Sequence, residues 1–411
     1  MAPSQRDRSS SKPNYCWFGA SRLRTSCRSN CSTDRVTSIV SVEQWHDQRL
    51  VRVRELLGQQ SSVQGILLSD LNDVRWITSF TGSSGWLLIT AADMWLFTDG
   101  RYTEQAAAQI NAVGVAAQVI ECRTQQSVFE ALAHRLSKCS HIWFQSAHVT
   151  FDVFQALKTS LPVDLVPAPS ALGAIRRIKD AGEILLMSEA CSIADQALAE
   201  VLPMLLSEPS EKNVRDQLDY LMRQLGADGP SYDTIVATGP INAARPHHSP
   251  TNTRIEEGHT LIIDVGALVN GYHSDMTRSF VIGEMNGEQV HAYEAVREAQ
   301  AAGVALAGPG VATRDVDAVC RKVLHEAGLA EMFNHGTGHG VGLLIHEDPY
   351  LNSSSTAILQ PGDVVTIEPG VYRGGFGGLR VEDLIVITEF SNRTLNTSPK
   401  EPTCLPSPLT N

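Results

Sequence analysis

The second half of the chain repeats one order of elements. Apolar spacing predicts a long helix over 181–206 and a second over 211–225. Val214, Leu218, Leu221 and Leu225 share a face of the second, and Ser210 is its expected N-cap. Three strands follow, in DTIVATG, GHTLIIDVGA and DMTRSFVIG. The order then recurs. Helices are predicted over 287–306 and 313–327, the latter capped by Thr313 and ended by Gly328. Strands come last, in HGTGHGVG, GDVVTIEPGVY and LRVEDLIVIT. Gly258 precedes Asp264 by six residues, and Gly362 precedes Glu368 by six. Each acid ends an apolar strand. A later strand in each copy carries another acid, Asp275 in the first and Glu382 in the second. Packed with approximate two-fold symmetry, the copies would aim four carboxylates into one cleft.

Strand alternation puts Ile262 and Asp264 on one face, with Ile263 and Val265 on the other. A carboxylate buried in such a strand costs several kcal/mol unless it is paired or ligates a metal. Arg278 and Arg380 are the obvious partners nearby, and two arginines do not balance four acids. The stretch FNHGTGHGVGLLIHEDPY, residues 333–350, adds His335, His339 and His346, with Glu347 and Asp348 expected in a loop. Two divalent cations match four carboxylates in charge, and His339 would add a neutral nitrogen. A site so rich in oxygen favours Mn²⁺, and one imidazole also tolerates Co²⁺, Zn²⁺ or Fe²⁺. Two-metal sites suit hydrolysis of an unreactive bond.

The first half reads differently. A helix is expected over 43–58, then strands in VQGILLSD, VRWITSF, GWLLIT and DMWLFTD. Helices near 103–111 and 127–137 and a strand in HIWFQSA complete an α/β domain over 43–168. VPAPSALGAIRRIKDAGE reads as a linker to a catalytic domain over 176–398. Residues 399–411, with Pro402, Pro406 and Pro408, read as a flexible tail.

The net charge of −12 argues against nucleic acid as partner. No apolar run reaches the ~18 residues of a spanning helix, so no membrane association is expected. Residues 1–40 carry seven Lys/Arg against Asp7 and Asp34, which leaves −17 for the rest. This Ser- and Arg-rich arm reads as disordered; an organellar transit peptide or an upstream start codon would look the same. The eight cysteines read as free thiols of a reducing, cytoplasmic setting.

IDVGALVNGYHSDMTRSF, HGTGHGVGLLIHEDPYL and VVTIEPGVYRGGFGGLRVEDLIVIT resemble, in order, the metal motifs of the pita-bread metallopeptidases. That family includes Xaa-Pro aminopeptidases, Xaa-Pro dipeptidases (prolidases) and methionyl aminopeptidases. FTGSSGWLLITAADMWLFTDGRYTEQA resembles the creatinase-type domain of the proline-specific members. The resemblance implies an α/β (α+β) chain: a creatinase-like domain, then a pita-bread domain with an internal pseudo-two-fold repeat. It implies that Asp264 holds one metal, that His339 and Glu368 hold the other, and that Asp275 and Glu382 bridge. Glu368 would handle the proton of the attacking water. His247 and His346 would meet the substrate, and Arg380 would steady Glu382 or meet a substrate carboxylate. The glycines beside His339 would let the backbone pass near the metals. His248 and His335 have no implied role and read as partly exposed.

The implied activity is release of an N-terminal residue from peptides with proline second, by an enzyme acting as a homodimer. Cleavage of Xaa-Pro dipeptides is the alternative. A creatinase-like hydrolase would have its metal positions replaced, and a methionyl aminopeptidase would lack the first domain. A non-catalytic peptide-binding module would have lost ligands.

Overall fold

The protein is described as a computed structural model, over residues 42–60, 62–168, 171–400 and 404–405. The arm of residues 1–40, with Cys16, Cys27 and Cys31, lies outside them. So does most of the tail.

A six-stranded sheet organises the first half. Its order is Gln118–Glu121, Met94–Thr98, Trp86–Thr90, Gly65–Leu68, His141–Phe144 and Asp164–Pro167. The three consecutive strands from Gly65 to Thr98 pair antiparallel, and the outer strands join in parallel. Alternate residues face opposite layers. Ile66, Leu68, Leu87, Ile89 and Leu96 meet Leu50, Val53 and Leu57 of helix Val42–Gly58. Leu67, Leu88 and Phe97 meet Phe129 and Leu132 of helix Gln125–Arg135. The first of these cores runs on into Met187, Cys191, Val364 and Leu384, so both halves share buried surface.

Four expectations change here. VRWITSF, read as a strand, lies in helix Leu71–Thr78. Asp70 caps that helix through the amide of Asn72, Val74 and Ile77 bury one helical face, and Ser79 ends it at φ 58°. Cap and tertiary burial outweigh the β-branched content. The linker instead holds strand Asp164–Pro167 and helix Ala171–Arg176. Helix Phe151–Ser160 and strand Gln118–Glu121 are elements the sequence reading missed. Glu347 opens strand Glu347–Leu351 rather than lying in a loop.

In the second half the repeat is visible in the hydrogen bonds. Strand Thr260–Asp264 pairs with Thr277–Ile282, with Asp264 opposite Thr277. Strand Val364–Ile367 pairs with Asp383–Ile387, with Ile367 opposite Asp383. Each hairpin is closed by a left-handed glycine, Gly258 at φ 80° and Gly362 at φ 93°. The Gly258 amide donates to the Ile282 carbonyl, and the Gly362 amide donates to the Ile387 carbonyl. Helices Ala181–Val201 and Glu211–Gln224 cover the first hairpin, and Gly287–Leu306 and Thr313–Glu326 cover the second. Ser210 caps its helix as expected, in a reciprocal box with Asn213. Thr313 does not cap: the N-cap is Ala312, and the Thr313 hydroxyl bonds Ser355 and the Ala357 carbonyl.

One helical stretch, Ala181–Ser207, is long and apolar enough to cross a membrane, which the sequence reading did not anticipate. Half of it is buried, through Ala190, Ala194, Ala197, Leu198 and Val201 against the hairpin residues Leu261 and Ile263. It is packed as a core helix.

Charge links the two halves. Arg176 pairs with Asp73 at 2.6 Å and lies 3.5 Å from Glu347. Lys179, with a side chain 1% exposed, pairs with Glu347 at 2.5 Å. The tie secures the strand that follows His346. Glu347→Gln is expected to cost about 2 kcal/mol, because a charged hydrogen bond to a buried lysine is lost. A urea midpoint shifted to lower concentration at unchanged slope would show it.

Candidate metal centre

Asp264 and Asp275 leave the first hairpin, and Glu368 and Glu382 leave the second. His339 comes from strand Gly338–Gly340 beside it. All five line one cavity of about 560 Å³, together with His247, His346 and Arg380. The structure therefore gathers every residue to which the resemblance gives a role. Asp275, His339 and Glu382 each offer a ligand atom, all within 4.8 Å of one another. The His339 Nε2 lies 3.5 Å from Asp275 and 3.5 Å from Glu368. Its Nδ1 faces the Gly340 carbonyl at 3.1 Å, which leaves Nε2 free to ligate.

The electrostatics are those of crowded anions. Burial, then Asp264 and Glu368, hold the Asp275 carboxyl well above the usual range. Burial, then Asp275 and Glu368, do the same to Glu382. Burial also raises Glu368, against the pull of His335 and Arg380. Burial lowers His339, so its imidazole is neutral and fit for ligation. Among the described residues lining the cavity, Arg380 is the one arginine or lysine. The four candidate-ligand carboxylates, with Asp233 also on the cavity wall, outnumber the one arginine and leave a shortage of positive charge. Such a donor set fits divalent cations, the oxygens suiting harder ions.

Arg278 does not pair with the cleft carboxylates, contrary to the sequence reading. It turns to Asp383 at 2.7 Å. Arg380 is also placed differently: it binds Asp264 at 2.5 Å and reaches Glu382 only through the Thr277 hydroxyl. Its other donors go to the Tyr372 hydroxyl and the Pro246 carbonyl. Four of its five N–H groups are thereby committed. The glycines beside His339 also let neighbouring strands approach closely. A Cβ on Gly338 would collide with the Thr366 carbonyl, and one on Gly340 with that of Asp348.

His346 stands at the cavity mouth with its ring centroid 4.3 Å from that of His339. Partial burial, then His339, push it below the usual imidazole value. His247 is exposed at the rim. His335 is half-buried, 3.0 Å from the Tyr372 hydroxyl. His248, read as partly exposed, is buried 3.0 Å from Glu211, which also takes the Thr251 hydroxyl. Tyr232 was missed altogether. Its hydroxyl reaches both Asp264 and Asp275, the latter at 2.6 Å, and burial with these anions keeps it protonated. A lone tyrosine ahead of an apolar strand carries no signal of this in the sequence.

A duplicated hairpin fold with an acid-rich, histidine-bearing cleft defines a pita-bread metallohydrolase. A family model described as metallopeptidase family M24 matches residues 186–389, and one described as creatinase/prolidase N-terminal domain matches 49–178. The chain is 37% identical to the uncharacterized peptidase YqhT of Bacillus subtilis (strain 168), over 86% of this chain and 99% of that one. An Xaa-Pro dipeptidase from Bacillus anthracis superposes with a TM-score of 0.81 at 35% identity, covering 87% of this chain and 99% of that one. An X-Pro aminopeptidase from Thermotoga maritima MSB8 gives 0.79 at 29% identity, covering 85% and 99%. The chain belongs to the M24 metallopeptidase family and is an enzyme. Its first half has the creatinase-like fold and its second the pita-bread fold.

Proposed function

We propose that the chain is an Xaa-Pro aminopeptidase, releasing the first residue of peptides with proline second. Two divalent ions, Mn²⁺ before Co²⁺, Zn²⁺ or Fe²⁺, would be held by Asp264, by His339 with Glu368, and by Asp275 and Glu382 between them. Bound there, such ions polarise a scissile carbonyl and lower the pKa of water. The supporting observation is the convergence of Asp275, His339 and Glu382 ligand atoms within 4.8 Å in a buried, anion-crowded cleft.

The remaining chemistry falls to the side chains. Glu368 accepts a proton from the attacking water and returns it to the proline nitrogen. That nitrogen carries no hydrogen in an Xaa-Pro amide, so it offers a donor to no peptidase. His346 is neutral and donates an N–H to the developing oxyanion. His247 meets the substrate at the rim. Arg380 holds Asp264 in place. Tyr232 orients Asp264 and Asp275, and Tyr232→Phe is expected to weaken metal binding by about 10-fold in a titration of stripped protein.

Commitment of Arg380 favours the aminopeptidase reading. A dipeptidase must neutralise a carboxylate immediately after proline. The lining arginine already spends four donors on the protein. Relatives carry both names, so substrate length is decided by assay. With Mn²⁺, Xaa-Pro-Xaa is expected to exceed Xaa-Pro by at least about 10-fold in kcat/KM, with Xaa-Ala peptides far behind and Glu368→Gln inactive. Faster cleavage of the dipeptide would reverse the length assignment. Equal rates on proline and alanine series would remove the proline requirement. A homodimer is expected on sedimentation.

A further inference from the structure

Behind Glu382, residues 397–400 are drawn onto the two hairpins by buried charge. Asp195, on helix Ala181–Val201, accepts four hydrogen bonds from this segment. Its Oδ2 takes the amide and hydroxyl of Thr397 at 2.6 and 2.7 Å, and its Oδ1 takes those of Ser398 at 3.2 and 2.7 Å. Arg278, 1% exposed, then spends its guanidinium on five residues at once. It donates to the Ser398 carbonyl at 2.8 Å and the Pro399 carbonyl at 3.0 Å. It donates to the Thr277 carbonyl of the first hairpin at 2.9 Å. It donates to the Glu382 carbonyl at 2.6 Å and to Asp383 at 2.7 Å on the second. Lys400 pairs with the other oxygen of Asp383, which also accepts from Gln300 at 3.0 Å.

Glu382 is therefore fixed from both ends. Its carbonyl belongs to Arg278, and its carboxylate takes the Thr277 hydroxyl at 2.7 Å. Asp275 stands two residues before Thr277 on the same strand approach. A buried ion pair is a weak source of stability, and packed apolar residues would close the gap between hairpins as well. What apolar packing would not do is direct one guanidinium nitrogen at both the Thr277 and the Glu382 carbonyls, beside the two acids that face each other across the repeat.

We infer that residues 397–400, with Asp195, Arg278, Asp383 and Lys400, form a positioning strap. It sets the Glu382 peptide, and so the spacing between the Asp275 and Glu382 carboxylates, for metal binding. The inference rests on the reading of Glu382 as a ligand. These are positioning residues, which act on the cleft through Thr277 and Glu382. The strap makes residues 397–400 part of the site's geometry.

The test uses the full chain, stripped of metal and titrated with Co²⁺, followed by calorimetry and by the visible Co²⁺ spectrum. Asp195→Asn replaces an acceptor of four donors with a group that is half donor. Lys400→Met removes, from a partly exposed position, the positive charge paired with Asp383 and stands in if Asp195→Asn does not fold. The expected result is 10–100-fold weaker Co²⁺ binding at one of two sites, with a changed spectrum and unchanged far-UV circular dichroism. Activity returns as Co²⁺ is raised, and Lys400→Arg restores binding. Folded variants that bind Co²⁺ with wild-type affinity and spectrum overturn the strap. Glu382→Gln is the separating control. If it leaves Co²⁺ binding intact, the ligand assignment fails and the strap's role goes with it.

Discussion

Asp275→Asn is expected to lower peptide hydrolysis by about 10³-fold or more and to leave the protein with fewer than two ions per chain. The side chain stands 3.5 Å from the His339 Nε2 and within 4.8 Å of the Glu382 and His339 ligand atoms. Two unit charges about 4 Å apart at an effective dielectric of about 20 interact by ~4 kcal/mol. Loss of that attraction for a cation corresponds to ~10³ in affinity, and a bridging carboxylate would forfeit it twice. The same substitution should not harm the fold. Asp264 and Glu368 repel the Asp275 carboxylate, and burial penalises its charge. A neutral asparagine relieves both. The metal-free variant is therefore expected to melt at or above the temperature of metal-free wild type while being far less active. Elemental analysis, turnover and thermal melts on the same preparations check all three. A variant that keeps two ions and full turnover would remove Asp275 from the site.

The four candidate acids were legible because their signal is physical and doubled, while His339 stood out by its glycine-rich, histidine-bearing stretch. An acid that ends an apolar strand is conspicuous, and the same spacing from a turn glycine recurs at Gly258 and Gly362. Burial could therefore be inferred before any contact was known. What escaped the sequence depends on side-chain direction or on partners far along the chain. Arg278 lies three residues after Asp275, yet it points to Asp383 and residues 397–400. Tyr232 reaches Asp264 and Asp275 across 32 and 43 residues of chain. Glu347 follows a glycine-rich stretch, and its partners, Arg176 and Lys179, come from the segment read as linker. The strand reading of VRWITSF failed for a related reason. Composition favoured a strand, while the Asp70 cap and the pocket that receives Trp76 and Ile77 favoured a helix. Local pattern fixed the hairpins, and tertiary partners decided the rest.

Stripping the metal is expected to lower the melting temperature by several degrees, and by more at pH 8 than at pH 5.5. Each ion held at 100 times its Kd contributes about 2.7 kcal/mol, so two contribute about 5. The pH dependence follows from the acids. Asp275, Glu368 and Glu382 have folded pKa values raised above their unfolded ones, chiefly by burial. In metal-free protein their stabilising contribution is full below the unfolded carboxylate range of about 4 and is lost as pH rises through the raised folded values. Ions reverse this, because they displace the protons and repay the crowding of charge. Acid lability from other groups does not confuse the comparison. His46, which accepts no ion and faces the Ile77 carbonyl and the Ser79 hydroxyl, is held down at about 4. Its depressed value costs stability in both forms as pH falls from about 6.5 toward 4, and it cancels in the difference. Paired melts in chelator and in Mn²⁺ at the two pH values measure the gap. A gap that narrows toward pH 8 would mean that protons or protein cations, rather than divalent ions, balance the four carboxylates.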